Sequence, residues 1–345
     1  MTTEKIKIKN IYIGGGAPVT VQSMCNTKTE DIDATVAQIN ALQALGCDII
    51  RVAVNTEKAA VAVKHIVAQT ELPLVADIQY DWRLAKAAAE NGAHKIRINP
   101  GNIGSEDKVR YLADILNERE IPIRIGVNEG SLDKEFKGIN AADALIKSAE
   151  KHIRILENAS FYNTIVSIKS SNVPTMAEAC KRFAEKYNYP QHLGVTEAGT
   201  LKRGLVKNSA GIGALLLQGI GDTIRISLAA SPEEEIIAGK MLLTALGLKK
   251  GSEVIACPTC ARTEIPVFKL ADETEKLLAN TDGLRVAVMG CAVNGIGEAG
   301  NADFGIAGGK ERSVIFEKGE IIKTVENERL FDELKQLIDK YREKQ

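Results

Sequence analysis

The sequence lacks both a charge excess and a long apolar run. Its 345 residues include 44 lysines and arginines against 45 aspartates and glutamates, for a formal net charge of −1. A balanced chain has no general basic field that would attract nucleic acid or an anionic membrane surface. No stretch approaches the roughly 18 uninterrupted apolar residues of a membrane span, and residues 1–9 alternate charge with isoleucine, unlike a signal peptide. We therefore expect a cytoplasmic protein that binds neither nucleic acid nor membrane and builds any anion site locally.

Histidine and cysteine are scarce. The chain has four histidines, none of them after His192, and six cysteines. Without a secretion signal, cysteines in a chain of this length favour reduced thiols or metal ligands over a disulfide framework. Nucleotide-binding loops are missing too, because no glycine-rich loop ends in Gly-Lys-Ser or Gly-Lys-Thr and the short pair Gly211 and Gly213 is not a dinucleotide fingerprint. These absences disfavour a nucleotide site.

Eight short apolar runs are present, and each is followed by an amphipathic segment of helical length. In the first such segment, Val36, Ile39 and Leu42 recur at helical spacing. Strands too apolar to have a solvated face favour a closed parallel (βα)8 barrel of the TIM type over an open doubly wound sheet, which usually has fewer units. The seventh helix is predicted at 211–218. The predicted strands are 19–24, 49–54, 74–78, 95–98, 123–127, 164–168, 192–196 and 223–228.

Ionic side chains cluster where these strands end. In a TIM-type barrel, residues at the carboxyl ends of the strands carry the chemistry. Arginine in an apolar strand is costly unless it has an anionic partner, and here the cations outnumber Asp77 and Glu197. The pattern predicts a site for a phosphate-rich small molecule; the alternative is that single arginines form ion pairs within the barrel. The strand-end residues are Arg51, Asp77, Arg97, Asn99, Arg124, Asn128, Lys169, Glu197, Arg225 and Ser227.

A composition break follows the last barrel helix. The run Gly247-Leu-Lys-Lys-Gly-Ser252 interrupts the βα alternation and is predicted to link two domains. We therefore assign residues 1–247 to the barrel and residues 252–345 to a smaller α+β domain. In that domain, strands are predicted at 252–256, 284–289, 304–307, 313–316 and 320–325, with helices at 266–279 and 328–342.

The second domain carries its cysteines directly after predicted strands. Cys257 and Cys260 are two residues apart, and Cys291 follows at a distance with Glu298 just beyond it. Three thiols and a carboxylate suit an iron–sulfur cluster with a labile fourth ligand, because a carboxylate is a harder ligand than a thiolate. A structural zinc site usually takes four Cys or His ligands, and this domain has no histidine, but spacing alone leaves zinc open. We predict buried, apolar roles for the remaining cysteines, Cys25, Cys47 and Cys180.

Several longer motifs are spread over essentially the whole chain. They are Lys95-Ile-Arg-Ile-Asn-Pro-Gly-Asn-Ile-Gly104, Arg124-Ile-Gly-Val-Asn128, His192-Leu-Gly-Val-Thr-Glu-Ala-Gly199, Cys257-Pro-Thr-Cys-Ala-Arg-Thr263 and Val288-Met-Gly-Cys-Ala-Val-Asn-Gly295. These motifs resemble the 4-hydroxy-3-methylbut-2-enyl diphosphate synthase family, in its compact bacterial form. The resemblance implies a TIM-type barrel followed by an α+β [4Fe-4S] cluster domain that is similar to the sulfite-reductase-like domain.

The resemblance also implies an activity. Members of this family catalyse the reductive ring opening and dehydration of 2-C-methyl-D-erythritol 2,4-cyclodiphosphate in the non-mevalonate isoprenoid pathway. Flavodoxin or ferredoxin would deliver the electrons, and a homodimer would form each active site between its subunits. The rival interpretations are a zinc-stabilised barrel transferase acting on another phosphorylated small molecule and a non-catalytic electron-transfer protein.

Individual roles are carried over from the same resemblance. It implies that Glu197 donates a proton and that displacement of Glu298 gives this ligand a catalytic role as well. The implied [4Fe-4S] ligands are Cys257, Cys260, Cys291 and Glu298. The residues expected to bind substrate are Arg51, Arg97, Arg124, Asn128, Lys169, Arg225 and Ser227. One departure is Gln79, which stands where the family often has histidine.

Overall fold

A computed structural model describes residues 2–343 except 100–102, 104, 133, 137, 280, 293–296 and 298. The chain divides into two compact units, Met1–Lys249 and Lys250–Gln345, and each unit is described by itself. Within the described ranges, every helix is too short or too polar to cross a bilayer.

The first unit is built on a parallel sheet that closes into a barrel. Among the described residues this sheet has eight strands, in the order β8-β7-β6-β5-β4-β3-β10-β9. A parallel bridge between Val166 and Gln191 joins the two ends of that order, so the predicted barrel is confirmed. The strands are β3 (Thr20–Met24), β4 (Ile49–Ala53), β5 (Leu74–Asp77), β6 (Lys95–Ile98), β7 (Ile123–Asn128), β8 (Thr164–Lys169), β9 (His192–Leu193) and β10 (Thr223–Ile224).

A helix follows each barrel strand. The helices are α1 (Ile32–Ala44), α2 (Glu57–Val67), α3 (Trp82–Glu90), α4 (Glu106–Glu118), α5 (Ala141–Asn158), α6 (Val173–Lys186), α7 (Leu201–Leu216) and α8 (Pro232–Ala245). The prediction for α7 was wrong, because the helix begins ten residues earlier than 211. Glycines inside it gave the appearance of a loop, but Gly204 is needed for close packing, since a Cβ there would lie 2.5 Å from Leu228 Cδ2.

The last two barrel strands are shorter than predicted. After β9, the chain turns through Glu197, whose φ of 51° is left-handed. After β10, the Arg225 N–H still donates to the Leu193 carbonyl, 3.0 Å away. Three residues later, the Leu228 N–H donates to the Glu235 carboxylate, 3.2 Å away, and not to a carbonyl of a neighbouring strand. Local side-chain and turn contacts therefore replace the ladder at these strand ends.

An N-terminal hairpin covers the bottom of the barrel. Its strands β1 (Ile6–Ile8) and β2 (Ile11–Ile13) pair antiparallel. Ile8 and Ile13 are fully buried in one apolar cluster with Ile49 of β4 and Val75 of β5. Since these residues lie at the amino ends of their strands, the hairpin covers the end of the barrel opposite the predicted site.

The second unit has a mixed sheet with two helices along its described residues, as predicted for an α+β domain. The sheet order is β11-β12-β13-β14-β15; the pairs β11/β12 and β12/β13 are parallel and the others antiparallel. The elements are β11 (Glu253–Ala256), α9 (Val267–Leu278), β12 (Arg285–Met289), β13 (Phe304–Ala307), β14 (Arg312–Glu317), β15 (Glu320–Glu326) and α10 (Leu330–Arg342).

Candidate active site

Strand alternation turns the predicted strand-end residues toward the inside of the barrel. Successive side chains of a strand point to opposite faces, so residues two apart share a face. Ile49 and Val75 contact the hairpin at the bottom of the barrel interior. Arg51 and Asp77, two residues further along the same strands, therefore face the interior nearer to its carboxyl end.

Asp77 holds two of the predicted phosphate-binding arginines. Its Oδ2 atom lies 3.0 Å from Arg51 Nη2, and its Oδ1 atom lies 3.2 Å from Arg97 Nη1. Burial opposes ionisation of Asp77, but Arg51, Arg97 and Arg124 outweigh it and lower the pKa of this carboxyl group. Asp77 is therefore a carboxylate that fixes both guanidinium groups in place.

Glu235 fixes the guanidinium group of Arg225, as Asp77 does for Arg51 and Arg97. This buried carboxylate, in the first turn of α8, accepts hydrogen bonds from Arg225 Nε at 3.1 Å and from Arg225 Nη2 at 3.1 and 3.2 Å. It also accepts from Ser23 Oγ at 3.3 Å. Sequence reasoning missed Glu235, because acidic residues in the first turn of a helix are already explained by the helix dipole. The feature of the sequence that could have indicated Glu235 as a partner of Arg225 is its position on α8, the helix that follows the strand bearing this arginine.

Loss of the Glu235 carboxylate should weaken substrate binding. In a Glu235→Gln variant, we expect KM for the phosphate-rich substrate that the strand-end cations predict to rise about 10- to 100-fold with a smaller change in kcat, because a charge-assisted hydrogen bond is worth about 1.5–3 kcal/mol. Steady-state kinetics measures KM and kcat separately and so checks this expectation. Glu234→Gln, one residue earlier in the same helical turn, is the matched control, and an equal KM in the two variants would remove the positioning role.

Arg124 and Lys169 are buried without a carboxylate of their own among the described residues. Arg124 Nη1 donates to Gln22 Oε1, 3.4 Å away on the opposite side of the barrel. Burial and the surrounding cations, chiefly Arg51 for Arg124 and Arg124 for Lys169, lower the pKa of both side chains well below their ordinary values. Both side chains therefore lie buried among other cations.

Two glycines leave room for these cations. A Cβ on Gly126 of β7 would lie 2.5 Å from Arg97 Nη2, and a Cβ on Gly194 would lie 2.8 Å from Lys169 Nζ. Both glycines occupy inward positions, so long side chains from neighbouring strands extend across them. The barrel mouth is thereby lined by basic groups instead of being filled by apolar ones.

The other predicted barrel residues lie at the same end. Asn128 ends β7 in register with Lys169 of β8. Ser227 follows Arg225 by two residues, and its carbonyl accepts a hydrogen bond from Asn208 Nδ2 at 3.2 Å. Glu197 is exposed, in the left-handed turn after β9. A carboxyl group at this place is accessible to solvent protons.

In the second unit, two of the predicted cluster ligands follow neighbouring strands. Cys257 comes directly after β11, and Cys291 comes two residues after β12, with which β11 pairs in parallel. The Gly290 N–H donates to Cys257 Sγ at 3.1 Å. This bond holds the Cys257 sulfur beside the residue that directly precedes Cys291.

Cys260 is exposed, and its surroundings favour the thiolate form. The Arg262 backbone N–H and guanidinium lower the pKa of the Cys260 thiol, with help from the Thr263 hydroxyl. By contrast, burial raises the pKa of Cys25, Cys47 and Cys180 to about 12, so their predicted burial is confirmed. Glu298 lies outside the described residues. Within those residues, no three Cys, His, Asp or Glu side chains converge on one metal-ion position.

The two units were compared with known proteins. The profile of the GcpE TIM-barrel domain matches residues 3–240, and that of the GcpE protein C-terminal domain matches residues 253–340. The chain belongs to the GcpE family. The resemblance inferred from the motifs is thereby confirmed.

Relatives of this GcpE-family chain share its length. One from Clostridium perfringens is 54% identical over 98% of both chains. Another, from Caldanaerobacter subterraneus, is 54% identical over 98% of this chain and 97% of its own. Both are named 4-hydroxy-3-methylbut-2-en-1-yl diphosphate synthase (flavodoxin). Among solved structures, a dihydropteroate synthase from Xanthomonas albilineans is 16% identical with a TM-score of 0.52 and covers 70% of this chain and 97% of its own, a likeness of fold alone.

Proposed function

We propose that this GcpE-family enzyme catalyses the reductive ring opening and dehydration of 2-C-methyl-D-erythritol 2,4-cyclodiphosphate to 4-hydroxy-3-methylbut-2-enyl diphosphate. The reaction belongs to the non-mevalonate route to isoprenoids, consumes two electrons and releases one oxygen of the substrate as water. The observation that carries the proposal is the buried basic lining of the barrel, found in a chain about half identical to named synthases along its full length.

The barrel residues bind the diphosphate in this proposal. Asp77 and Glu235 fix the forks of Arg51, Arg97 and Arg225, so little side-chain entropy is lost when phosphate oxygens bind. Arg124 adds charge deeper in the barrel, where a low dielectric strengthens the attraction, and Lys169 lies at the carboxyl end of β8, in register with Asn128. Asn128 and Ser227 contribute polar groups at the same strand ends. Glu197, exposed beyond β9, supplies a proton to the departing hydroxyl.

A [4Fe-4S] cluster is the proposed cofactor of the second unit. Cys257, Cys260, Cys291 and Glu298 would hold it, and it would supply single electrons together with a Lewis acid. The donor set fits, because Cys257 accepts an N–H bond and Arg262 stabilises the Cys260 thiolate.

Partners and location follow from the same proposal. Flavodoxin or ferredoxin would deliver the electrons one at a time. The enzyme would act in the cytoplasm as a homodimer whose active sites form between subunits.

The test is an anaerobic assay with the cyclodiphosphate and reduced flavodoxin or dithionite, combined with iron and zinc analysis. We expect turnover to 4-hydroxy-3-methylbut-2-enyl diphosphate by protein that contains iron. A protein that contains zinc and no iron, or one that leaves the cyclodiphosphate unchanged, would refute the proposal.

Lys169→Met should separate substrate binding from chemistry. Removal of this buried amino group is expected to raise KM for the cyclodiphosphate about 100-fold, because the complex then lacks the cationic partner that Lys169 offers the phosphate in a low dielectric. Lys147→Met, which changes an exposed lysine of α5, is the matched control. An unaltered KM in Lys169→Met would count against the phosphate-binding role.

A further inference from the structure

A second tier of polar side chains lies beneath the basic mouth of the barrel. Lys95, Gln22 and His192 are each fully buried. Lys95 precedes Arg97 by two residues on the same face of β6, which places it about 7 Å further from the mouth. Among the described residues, Lys95 Nζ and both ring nitrogens of His192 have no hydrogen-bond partner. Since Gln22 Oε1 accepts a hydrogen bond from Arg124, the side chains of this tier without a described partner are Lys95 and His192.

The charged groups that act most strongly on Lys95 within the described structure are cations. Arg124 of β7 and Arg51 of β4 repel a charge on Lys95, and together with burial, the larger cause, they lower its pKa well below the ordinary value. The carboxylates of this interior are engaged elsewhere, Asp77 with two arginines and Glu235 with Arg225. The groups that the other barrel strands present to this interior are Gln22, Arg51, Val75, Asp77, Arg124, Ser167, Lys169, His192, Thr223 and Arg225.

We propose that Lys95 is uncharged in the free protein and takes up a proton when the diphosphate binds above it. The proposal rests on the proposed function, because it needs an anion at the mouth. Two phosphates bound by Arg51, Arg97 and Arg124 offset the positive charge that keeps Lys95 neutral. Binding and protonation then favour each other equally, as linkage requires. Lys95 is thus a positioning residue, which adds a positive charge under the substrate only when the substrate is present.

Proton uptake can be measured directly by titration calorimetry. The probe is the cyclodiphosphate itself, whose phosphates each carry one carbon ester and share one anhydride bridge, so each keeps a single fixed charge near neutral pH. Anaerobically prepared, cluster-loaded enzyme without reductant binds the compound but cannot turn it over. The observed heat is measured at one pH in buffers of different ionisation enthalpy, and its slope against that enthalpy gives the number of protons taken up per ligand bound.

We expect net uptake by the unmodified enzyme and clearly less by Lys95→Met, which keeps the length of the side chain but cannot be protonated. Lys169 and His192 share the same cationic surroundings and account for any uptake that remains. Lys58→Met, on the exposed first turn of α2, is the matched control and should behave like the unmodified enzyme. Absence of uptake in the unmodified enzyme, or the same uptake in Lys95→Met, would overturn the inference.

A second measurement does not depend on the folding of any variant. If binding takes up protons, the affinity of the unmodified enzyme must rise as pH falls between the pKa values of the free and bound states, approaching tenfold per pH unit for each full proton. An affinity that does not change with pH would overturn the proposal. Failure of the proposed function gives a different result, because the cyclodiphosphate would then release no binding heat in any buffer.

Discussion

The Asp77→Asn variant is expected to lose about 3–5 kcal/mol of unfolding free energy at neutral pH, because removal of one partner from a buried ion pair leaves uncompensated charge. Here the loss affects both Arg51 and Arg97, which bond the two oxygens of the same carboxylate. Chemical denaturation monitored by circular dichroism measures the loss. KM for the cyclodiphosphate should rise as well, since neither arginine then has a fixed position.

The control for Asp77→Asn is Asp272→Asn, which breaks an exposed ion pair with Lys276. Such pairs contribute about 0–1 kcal/mol. The pH dependence gives a further check. The folded-state pKa of Asp77 is below its ordinary value of 3.8, so its contribution is complete above 3.8 and is lost as pH falls toward the folded-state value. Asp77→Asn should therefore lose less stability on acidification than the unmodified protein, because the contribution of the Asp77 carboxylate is already absent. If Asp77→Asn and Asp272→Asn had the same free energy of unfolding, the buried ion pairs of Asp77 would contribute no more than an exposed pair.

Cys257→Ser is expected to abolish turnover and to lose most of the iron and the visible absorbance of the anaerobically purified protein. The serine hydroxyl does not ionise near neutral pH, so it is a poor substitute for a thiolate ligand. The bond from the Gly290 N–H holds this sulfur next to the segment that carries Cys291. Iron analysis and an absorption spectrum check the result without dependence on activity.

Cys180→Ser is the matched control for the cluster ligands. Burial raises the pKa of Cys180 to about 12, so it remains a thiol, and its sulfur lies 3.6 Å from the Ile168 carbonyl, to which a serine hydroxyl could also donate. This variant should keep its iron and its activity. Full iron content in Cys257→Ser would refute the ligand assignment.

Much of the fold could be predicted from periodicity. The bounds 95–98 of β6 and 304–307 of β13 were predicted to the residue, because a short apolar run and the turn residues after it mark both strands. The start of α7 could not be predicted in this way. Its glycines have low helix propensity, and the reason for Gly204 lies in the side chain of Leu228, which only the folded barrel brings beside it.

The basic lining of the site could be predicted, but its internal partners could not. Because side chains alternate between the two faces of a strand, Arg97 is predicted to lie on the inner face of β6. The same rule places Lys95, two residues earlier, on that face as well. The link between Glu235 and Arg225 depends on how α8 packs over β10, which is a tertiary fact. The roles of Glu197 and Glu298 stay predictions, and Glu298 lies outside the described residues.

The N-terminal hairpin covers the end of the barrel opposite the basic mouth. Since Ile8 and Ile13 cover the lower end with apolar surface, the described part of the barrel opens to counterions and bulk water at the mouth. The electrostatic potential of the cations is therefore directed to one opening, where it can increase the rate at which an anionic substrate arrives. A defect in this seal, such as Ile13→Asp, should then slow substrate capture and increase its sensitivity to salt, although no residue at the mouth has changed.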